Sequence, residues 1–443
     1  MTEKPTRSDR IYDFLVGNGH GERISTGITE AAAKVVPANF LRLLVATLCT
    51  KVGDALSKPG VMITWMLSTL GAPSALIGLI VPIRESGALV LQIFVGELAS
   101  RYRLRKWFWV AGSVVQGSAI LGMVPVALFL SGAAAGWAVV GLIAIFSLAR
   151  GVCSVISKDL VGRTIPKTRR GRLGGIAASA SGVIAIAVGI WLLLYKDREL
   201  EPVVFAVILG VAGGLWFLAA MAMSTLDEKP AKTEAKKNPF LEIKSSIGLL
   251  KTDSDFRLFC IARALLAGTV LSMPFYVILA RHATDGSSGS LGILLIAGSV
   301  ATALSGAVWG RLADHSSRLV LATAGILAGV IGFATAALGG IEFSGMGGSI
   351  FWGALFFLIG LAHTGIRQGR KTHLVDMSDA DNRASMVAVS NTLIGIVVLA
   401  GSSVGLLTEW IGERWVIFIF ALPGLFGGLL ALKLPEVQRE GKA

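Results

Sequence analysis

Charged residues are scarce in this chain: Asp, Glu, Lys and Arg make up only 16% of its 443 residues, against about 25% in soluble domains. The apolar residues, 53% of the total, are gathered into long runs and do not alternate with polar ones. This combination excludes an ordinary soluble domain and predicts a membrane protein. The net charge of +13 comes from basic residues in short loops between apolar runs, a distribution that argues against a nucleic-acid partner.

Side chains typical of catalytic and metal sites are also sparse. The three cysteines, Cys49, Cys153 and Cys260, each lie inside an apolar run and have no CxxC spacing. We therefore expect them to be reduced, buried side chains that bind no metal and form no disulfide. The sequence contains no HExxH motif and no P-loop, and its GxSxG match, GSSVG at 401–405, lies at the end of an apolar run and not between a strand and a helix, so we expect neither an enzyme nor a cofactor.

Twelve apolar runs are long enough to cross a bilayer as helices, which takes about 20 residues. They form two sets of six, and we number them segments 1 to 12. The predicted segments are 39–70, 73–99, 106–130, 136–161, 173–195, 202–224, 255–281, 290–313, 318–339, 348–374, 384–408 and 414–434.

The predicted fold class is therefore an all-α membrane protein with two pseudo-symmetric six-helix bundles. A charged stretch separates the two sets of segments. The predicted divisions are an N-terminal segment at 1–37, a first bundle at 38–224, a linker at 225–253, a second bundle at 254–435 and a tail at 436–443.

Loop charge predicts the orientation of the helices. The loops near 100–106 and 162–172 are rich in Lys and Arg, whereas the turns at 70–73 and 131–136 carry no charge. Basic loops stay in the cytoplasm, so we expect both termini to be cytoplasmic in a cytoplasmic (inner) membrane. Residues 11–16 are either a short helix on the membrane surface or part of a disordered tail.

The second half of the chain repeats the first. Residues 148–170 and 361–383 align without a gap at a constant offset of 213 residues (361 − 148), so that Arg150 corresponds to His363. Two related bundles of six helices are typical of transporters, in which a site between the bundles is exposed to each side in turn.

The loops after segments 2 and 8 resemble a motif of the major facilitator superfamily, roughly G-x-L-a-D-R-x-G-R-R/K. The second half reads GRLADHSSR at 310–318, and the first reads GELASRYR at 96–103, where Ser100 replaces the aspartate. The resemblance extends from about residue 39 to residue 434 and implies a twelve-helix transporter. It also implies gating roles for Gly96, Arg101, Gly310, Asp314 and Arg318. The alternative is that these loops only set the topology through their positive charge.

Ionisable residues lie within several predicted segments, where each costs at least about 2.5–3.5 kcal/mol unless it faces a cavity or a partner. In segment 1, Thr47, Lys51, Asp54 and Lys58 follow one another at steps of four, three and four. Helical geometry places them on one face. This face either lines a cavity and carries a titratable carboxylate, or holds a structural ion pair that orients the helix.

Three further charges lie near the middle of segments 2 and 4. Arg84 and Glu85 are adjacent, and neighbouring helical residues point about 100° apart, so one of them is expected to pair with another helix. Either Glu85 or Asp54 is expected to carry a proton. Arg150 either contacts a substrate anion or pairs with one of these two carboxylates.

The second half adds mostly basic groups. Arg263 lies in segment 7, and His363, Arg367 and Arg370 share one face of segment 10 at spacings i, i+4 and i+7. His363 is either a proton relay or a hydrogen-bonding group between helices.

Candidate cations outnumber candidate anions, and a cavity with that excess attracts a negatively charged solute. Arginine also matches carboxylate and phosphate with two parallel hydrogen bonds. The residues predicted to bind substrate are Lys51, Lys58, Arg84, Arg150, Arg263 and Arg367. Those predicted to couple protons are Asp54, Glu85 and His363.

The sequence thus predicts a secondary active transporter of a small organic anion, coupled to protons and working as a monomer in the lipid bilayer. The two bundles would rock about the site to expose it to each side in turn. Two alternatives stay open: an anion exchanger without proton coupling, and a non-transporting membrane sensor or assembly factor with the same fold.

Overall fold

The structure is a computed structural model. It describes residues 7–16, 35–90, 101–195, 199–230, 248, 250–339, 345–379 and 382–438. These residues are almost entirely helical, and the extended pairing among them is one isolated bridge between Glu199 and Ser287. The all-α fold expected from the apolar runs is confirmed.

The helices follow the predicted segments closely. A short helix at Arg7–Val16 precedes them. In the first half the segments are Val36–Leu56 with Pro59–Ile63 and Thr64–Thr69, then Ser74–Val90, Lys106–Phe129, Gly132–Thr164, Lys167–Leu194 and Pro202–Ser224. In the second half they are Ser254–Leu266 with Gly268–Ala283, then Ser288–His315, Ser317–Leu338, Gly345–Asp376, Arg383–Gly401 with Ser402–Leu407 and Thr408–Ile411, and finally Glu413–Ala431.

Ten of these helices, segments 3 to 12, are long and apolar enough to cross a membrane within the described part of the chain. Segment 1 falls short because it carries charges that the sequence placed inside the bilayer. Segment 1 is also interrupted near Lys58, and the continuation of segment 2 at 91–100 lies outside the described residues.

The interruption of segment 1 positions Lys58 at a bend. Its backbone adopts φ −53° and ψ 112°, because the residue before a proline is disfavoured in the α conformation. The chain then forms a π-helical turn at Pro59–Ile63, in which the amides of Val61 and Met62 donate to the carbonyl of Lys58 at 3.1 and 2.8 Å. Lys58 therefore lies between two helical stretches of segment 1, at the point where the chain bends.

The internal repeat is visible in equivalent contacts. Nε of Arg170, near the start of segment 5, donates to the carbonyl of Ile165 at 2.9 Å. Nη2 of Arg383, at the start of segment 11, donates to the carbonyl of Ser378 at 3.1 Å. Both the donors and the acceptors are separated by 213 residues (383 − 170 and 378 − 165), which is the offset found in the sequence.

The two halves pack against each other at one end of the bundle. We call this the distal end, and we call the opposite end, which carries the first residues of segments 1 and 7, the terminal end. Near the distal end, segments 5 and 8 cross at Gly189 and Gly292, where a Cβ on Gly292 would lie 2.4 Å from the carbonyl oxygen of Gly189. Only glycine permits this approach of the two backbones.

The N-terminal helix docks on the first half. The ring of Tyr12 meets that of Phe40 edge-on, with centroids 5.2 Å apart. Nη1 of Arg172, in the second turn of segment 5, donates to the carbonyl of Val16 at 2.8 Å. Residues 11–16 are thus part of a short helix, as one of the two sequence interpretations proposed, and Phe14 is 87% exposed on its outer face.

Candidate substrate site between the two halves

Asp54 is the centre of an ionic network that joins segments 1, 2 and 4. Nη1 of Arg150 donates to Oδ1 and Oδ2 of Asp54 at 2.6 and 2.8 Å. Nη2 of Arg84 donates to Oδ1 at 3.1 Å, and Nη1 of Arg84 donates to Oε1 of Glu85 at 3.1 Å. Arg84 therefore pairs with a neighbouring helix, as expected for one of these two residues. It also binds Glu85, the next residue on its own helix.

This network identifies the partners of two candidate cations. The guanidinium groups of Arg84 and Arg150, both among the predicted substrate-binding residues, are bound by acids, which was one of the alternatives for Arg150. Their role in substrate binding stays a prediction. The physical reason for the pairing is that an unpaired charge away from bulk water is costly, and a neighbouring carboxylate offsets that cost for each guanidinium group. Glu85 is the most accessible member of the network, with its side chain 40% exposed against 23% for Asp54.

Lys58 forms a second, basic part of the site. Its amine lies against the bare backbone of Gly298 in segment 8, since a Cβ added there would be 3.2 Å from Nζ and 3.2 Å from the ring of Phe356. Lys58 therefore reaches from the first half to the second. Its charge interacts with those of Arg84 and Arg367, and it has no acid partner among the described residues.

The basic face of segment 10 points to the same region. The charges of Lys58, Arg367 and Arg370 all act on His363, whose Nδ1 is buried and has no hydrogen-bond partner among the described residues. Arg367 is exposed, and the charge of Arg370 interacts with that of Glu85 in the opposite half. The predicted grouping of His363, Arg367 and Lys58 is therefore found in the structure.

Arg263 is buried and is held by neutral partners. It donates from Nη1 to Oγ of Ser390 and from Nη2 to Oδ1 of Asn391, the latter at 2.8 Å. Its charge interacts with that of Arg370, which connects it to the basic face of segment 10. Lys51 is different: it is half-buried and makes no hydrogen bond or ion pair with the described residues, so the structure does not bring it into this cluster.

The site is sealed at the distal end. The ring of Phe275 fills the space between Gly78 and Gly405, where added Cβ atoms would lie 2.8 and 3.3 Å from it. Phe275 is 1% exposed, whereas Glu85 and Arg367 at mid-depth are accessible. Among the described residues, the site is therefore more accessible at mid-depth than at the distal end.

Polar contacts between the halves reinforce this closure. Oε1 of Glu413 accepts from Oγ of Ser74 at 2.8 Å, and Oε1 of Glu409 accepts from the amide of Ala75 at 3.3 Å. Carboxylates at the first residues of a helix are favoured by its dipole. We call these four residues the distal clasp. Beside it, Nε of Arg281 donates to Oγ1 of Thr69 at 3.3 Å.

This architecture matches a known family across nearly the whole chain. The family model described as Major Facilitator Superfamily matches residues 43–359 and 269–443. The chain belongs to the Major Facilitator Superfamily. It is accordingly a multi-pass membrane transporter and not an enzyme, as the sequence resemblance implied.

Relatives of the superfamily show the same fold at low sequence identity. An uncharacterised MFS-type transporter of Methanocaldococcus jannaschii is 23% identical over 379 residues, covering 83% of this chain and 86% of the relative. The crystal structure of a D-xylose–proton symporter has a TM-score of 0.68 at 13% identity, covering 90% of this chain and 98% of the other. That of the nucleoside transporter NupG has a TM-score of 0.67 at 14% identity, covering 89% and 98%.

Most residues of the superfamily loop motif are exposed or lie outside the described residues. Gly96 lies outside the described residues, and Arg101 is exposed. No heavy atom lies within 4 Å of a Cβ added at Gly310. Asp314 is exposed and makes no hydrogen bond or ion pair with the described residues. The gating role of these residues stays a prediction.

Arg318 has a clear partner, which lies in its own half. Nε of Arg318 is 3.2 Å from Oε2 of Glu436, just after segment 12, and the same carboxylate oxygen accepts from Oγ of Ser316 at 2.6 Å. The first half has a counterpart, in which Glu228 after segment 6 accepts from the amides of Arg105 and Lys106, both at 2.9 Å. In the first half the acid after the sixth helix thus caps the third. In the second half the acid binds side chains there, and the amide of Ser317 donates to Oε1 of Gln438 at 3.0 Å.

Sequence reasoning missed several residues of the site. Arg370 was placed on the basic face of segment 10 but was not included among the substrate-binding residues. Gly298, Ser390 and Asn391 gave no signal, because small and neutral polar residues are common in membrane helices. The distal clasp was missed as well, since Glu409 and Glu413 lie at the end of an apolar run and match no motif.

Proposed function

We propose that this MFS transporter moves a small organic anion and couples that movement to protons, by rocking of its two halves about the central site. The observation that carries the proposal is the position of Lys58 and Arg367. They lie on opposite halves, their charges interact, and neither has an acid partner among the described residues. Such an arrangement favours a negatively charged solute between them.

The same two charges link substrate binding to movement. Two like charges repel, and the repulsion grows as water is excluded. Lys58 and Arg367 therefore oppose closure of the terminal end while the site is empty. An anion bound between them replaces repulsion by two attractions, so the occluded state becomes favourable only with substrate bound.

Glu85 is the carboxylate we assign to proton coupling. Asp54 already accepts three hydrogen bonds from two guanidinium groups, whereas Glu85 accepts one and is more exposed. A proton on Glu85 removes its attraction for Arg84 and for Arg370 of the opposite half. Protonation would therefore weaken an electrostatic attraction between the halves. A related structure is that of a proton symporter, which is compatible with this assignment.

The proposal is tested with purified protein in proteoliposomes loaded with buffer, using radiolabelled organic solutes of matched size that are anionic, neutral or cationic. We expect a pH gradient to drive accumulation of an anion, and an uncoupler to abolish that accumulation. Glu85→Gln should lose accumulation driven by the pH gradient and retain exchange of labelled for unlabelled anion.

The matched control is Glu201→Gln, which makes the same substitution at an exposed carboxylate outside the network and should leave the response to the pH gradient in place. Transport of only neutral or cationic solutes would contradict the anion proposal. Accumulation by Glu85→Gln equal to that of the unmodified protein would contradict the assignment of the proton to Glu85.

A further inference from the structure

The charges of the site fall into two parts of different character. The part on the first half is balanced: Arg84 and Arg150 bind Asp54 and Glu85, with every ion-pair distance at or below 3.1 Å. Two guanidinium groups and two carboxylates leave no net charge there. This part has no need of a substrate to neutralise it.

The part facing the second half is unbalanced. It contains Lys58, Arg367, Arg370 and Arg263, whose charges act on one another or on His363. Arg263 has neutral partners, Ser390 and Asn391. The attraction that Arg370 receives comes from Glu85, which is already bound by Arg84. Within the described residues, four positive charges therefore converge without a carboxylate of their own.

Charge balance then limits the substrate class, given the proton coupling proposed above. A singly charged anion that enters with one proton leaves the net charge of the cavity unchanged. A doubly charged anion that enters with one proton lowers it by one. Occlusion removes water from the cavity, and unneutralised charge is expensive in a water-poor membrane interior. A doubly charged solute therefore favours occlusion more strongly than a singly charged one does.

The geometry offers separate positions for two negative groups. One lies at Lys58, whose Nζ is against the bare backbone of Gly298 near the ring of Phe356 and whose charge interacts with that of Arg367. The other lies toward Arg370, which connects Arg367 to the buried Arg263. The free Nδ1 of His363 lies among these cations and offers a hydrogen bond to an oxygen of the solute.

We propose that the substrate is a doubly charged organic oxyanion, a dicarboxylate or a phosphate monoester, and that Lys58, Arg367 and Arg370 bind its two charges. This inference rests on the proposed anion transport and narrows its substrate class. A dicarboxylate and a phosphate monoester share the chemistry that these groups recognise, because each presents several anionic oxygens to lysine and arginine donors.

The test measures binding by protection of the purified full-length protein against thermal unfolding, and by competition for uptake in proteoliposomes. The carboxylate probes are succinate and butyrate, which have four carbons and carry two charges and one. The phosphate probes are glycerol 3-phosphate and glycerol. We expect succinate to bind at least about tenfold more tightly than butyrate, or glycerol 3-phosphate at least about tenfold more tightly than glycerol. This is the difference expected for one additional charge-assisted contact.

Two variants separate this inference from a general attraction for anions. Arg367→Gln should reduce the affinity for the doubly charged probe about tenfold and bring it close to that for the singly charged probe. Lys371→Gln removes an exposed cation one residue beyond Arg370 and should leave the preference unchanged.

The outcomes are distinguishable. If neither doubly charged probe binds more tightly than its partner, or if Arg367→Gln keeps the full preference, the inference is wrong although anion transport stands. If glycerol or a cationic solute is transported and no anion is, the proposed function fails as well. Preference for succinate or for glycerol 3-phosphate alone supports the inference and identifies the carboxylate or the phosphate as the recognised group.

Discussion

At the scale of single residues, Asp54 is the group on which the first half depends. It binds two guanidinium groups from two other segments, so removing its charge leaves both Arg84 and Arg150 without this carboxylate partner. Breaking a buried ion pair from one side costs about 3–5 kcal/mol, and the partial exposure of Asp54 places the expected cost at the lower end. Asp54→Asn should therefore lower the stability of the purified protein by about 3 kcal/mol, measured by unfolding in detergent.

Glu85→Gln is the matched comparison, because it removes the same charge from a more exposed carboxylate with one guanidinium partner. We expect a loss of stability of less than about 1 kcal/mol, typical of an exposed pair. Equal losses in the two variants would show that the contacts of Asp54 are no stronger than those of Glu85. A stable Asp54→Asn protein would contradict the central place given to this residue.

The residue scale also shows where sequence reasoning stops. The spacing in segment 1 placed Asp54 and Lys58 on one face with Thr47 and Lys51, and the pairing of Arg150 with Asp54 was one of the alternatives. The sequence did not decide between the alternatives, because the partner of a charge depends on the rotation of three helices about their axes. Arg84 and Arg150, two of the six predicted substrate-binding cations, are paired with acids in the structure.

At the scale of helices, the crossing of segments 5 and 8 controls how closely the halves approach. An alanine at Gly292 would place its Cβ 2.4 Å from the carbonyl oxygen of Gly189. Because the obstacle is backbone, the helices must separate, and such overpacking costs about 1–3 kcal/mol. Gly292→Ala should therefore destabilise the state closed at the distal end and lower the transport rate, measured by uptake in proteoliposomes.

Gly306→Ala provides the control on the same helix, since no heavy atom lies within 4 Å of its added Cβ. It should transport at the unmodified rate, and alanine should favour the helix slightly. A transport defect in Gly306→Ala as large as that in Gly292→Ala would mean that helix propensity, and not the crossing, is responsible.

Elements were the most predictable level of this structure. Apolar runs of spanning length lead directly to helices, and the offset of 213 residues relates the equivalent contacts of Arg170 and Arg383. The bend at Lys58 was harder to predict. Pro59 follows Lys58 in the sequence, but the direction in which a proline redirects a helix depends on the helices packed around it.

At the scale of the whole molecule, the two ends of the bundle are in different states. The distal end is sealed by Phe275 and held by the distal clasp, while charged groups at mid-depth are accessible. Alternating access requires that this end open while the other closes. The contacts of the distal clasp exist only in the closed arrangement, so their strength sets the balance between the two states.

Removing both carboxylates of the distal clasp should therefore shift the protein toward opening at the distal end. Spin labels at positions 134 and 346, which are exposed near that end on opposite halves, report the separation by pulsed electron spin resonance after replacement of the native cysteines. We expect Glu409→Ala with Glu413→Ala to add a population at longer distances, since each hydrogen bond to a charged group contributes about 1.5–3 kcal/mol.

The control is Glu436→Ala, which removes a carboxylate that binds Arg318 within one half and crosses no interface. It should leave the distance distribution unchanged, because the second half moves as a unit with or without that contact. If the double variant at 409 and 413 also leaves the distribution unchanged, the apolar seal around Phe275 and the glycine crossing alone hold the distal end closed. The distal clasp would then follow the movement of the halves without controlling it.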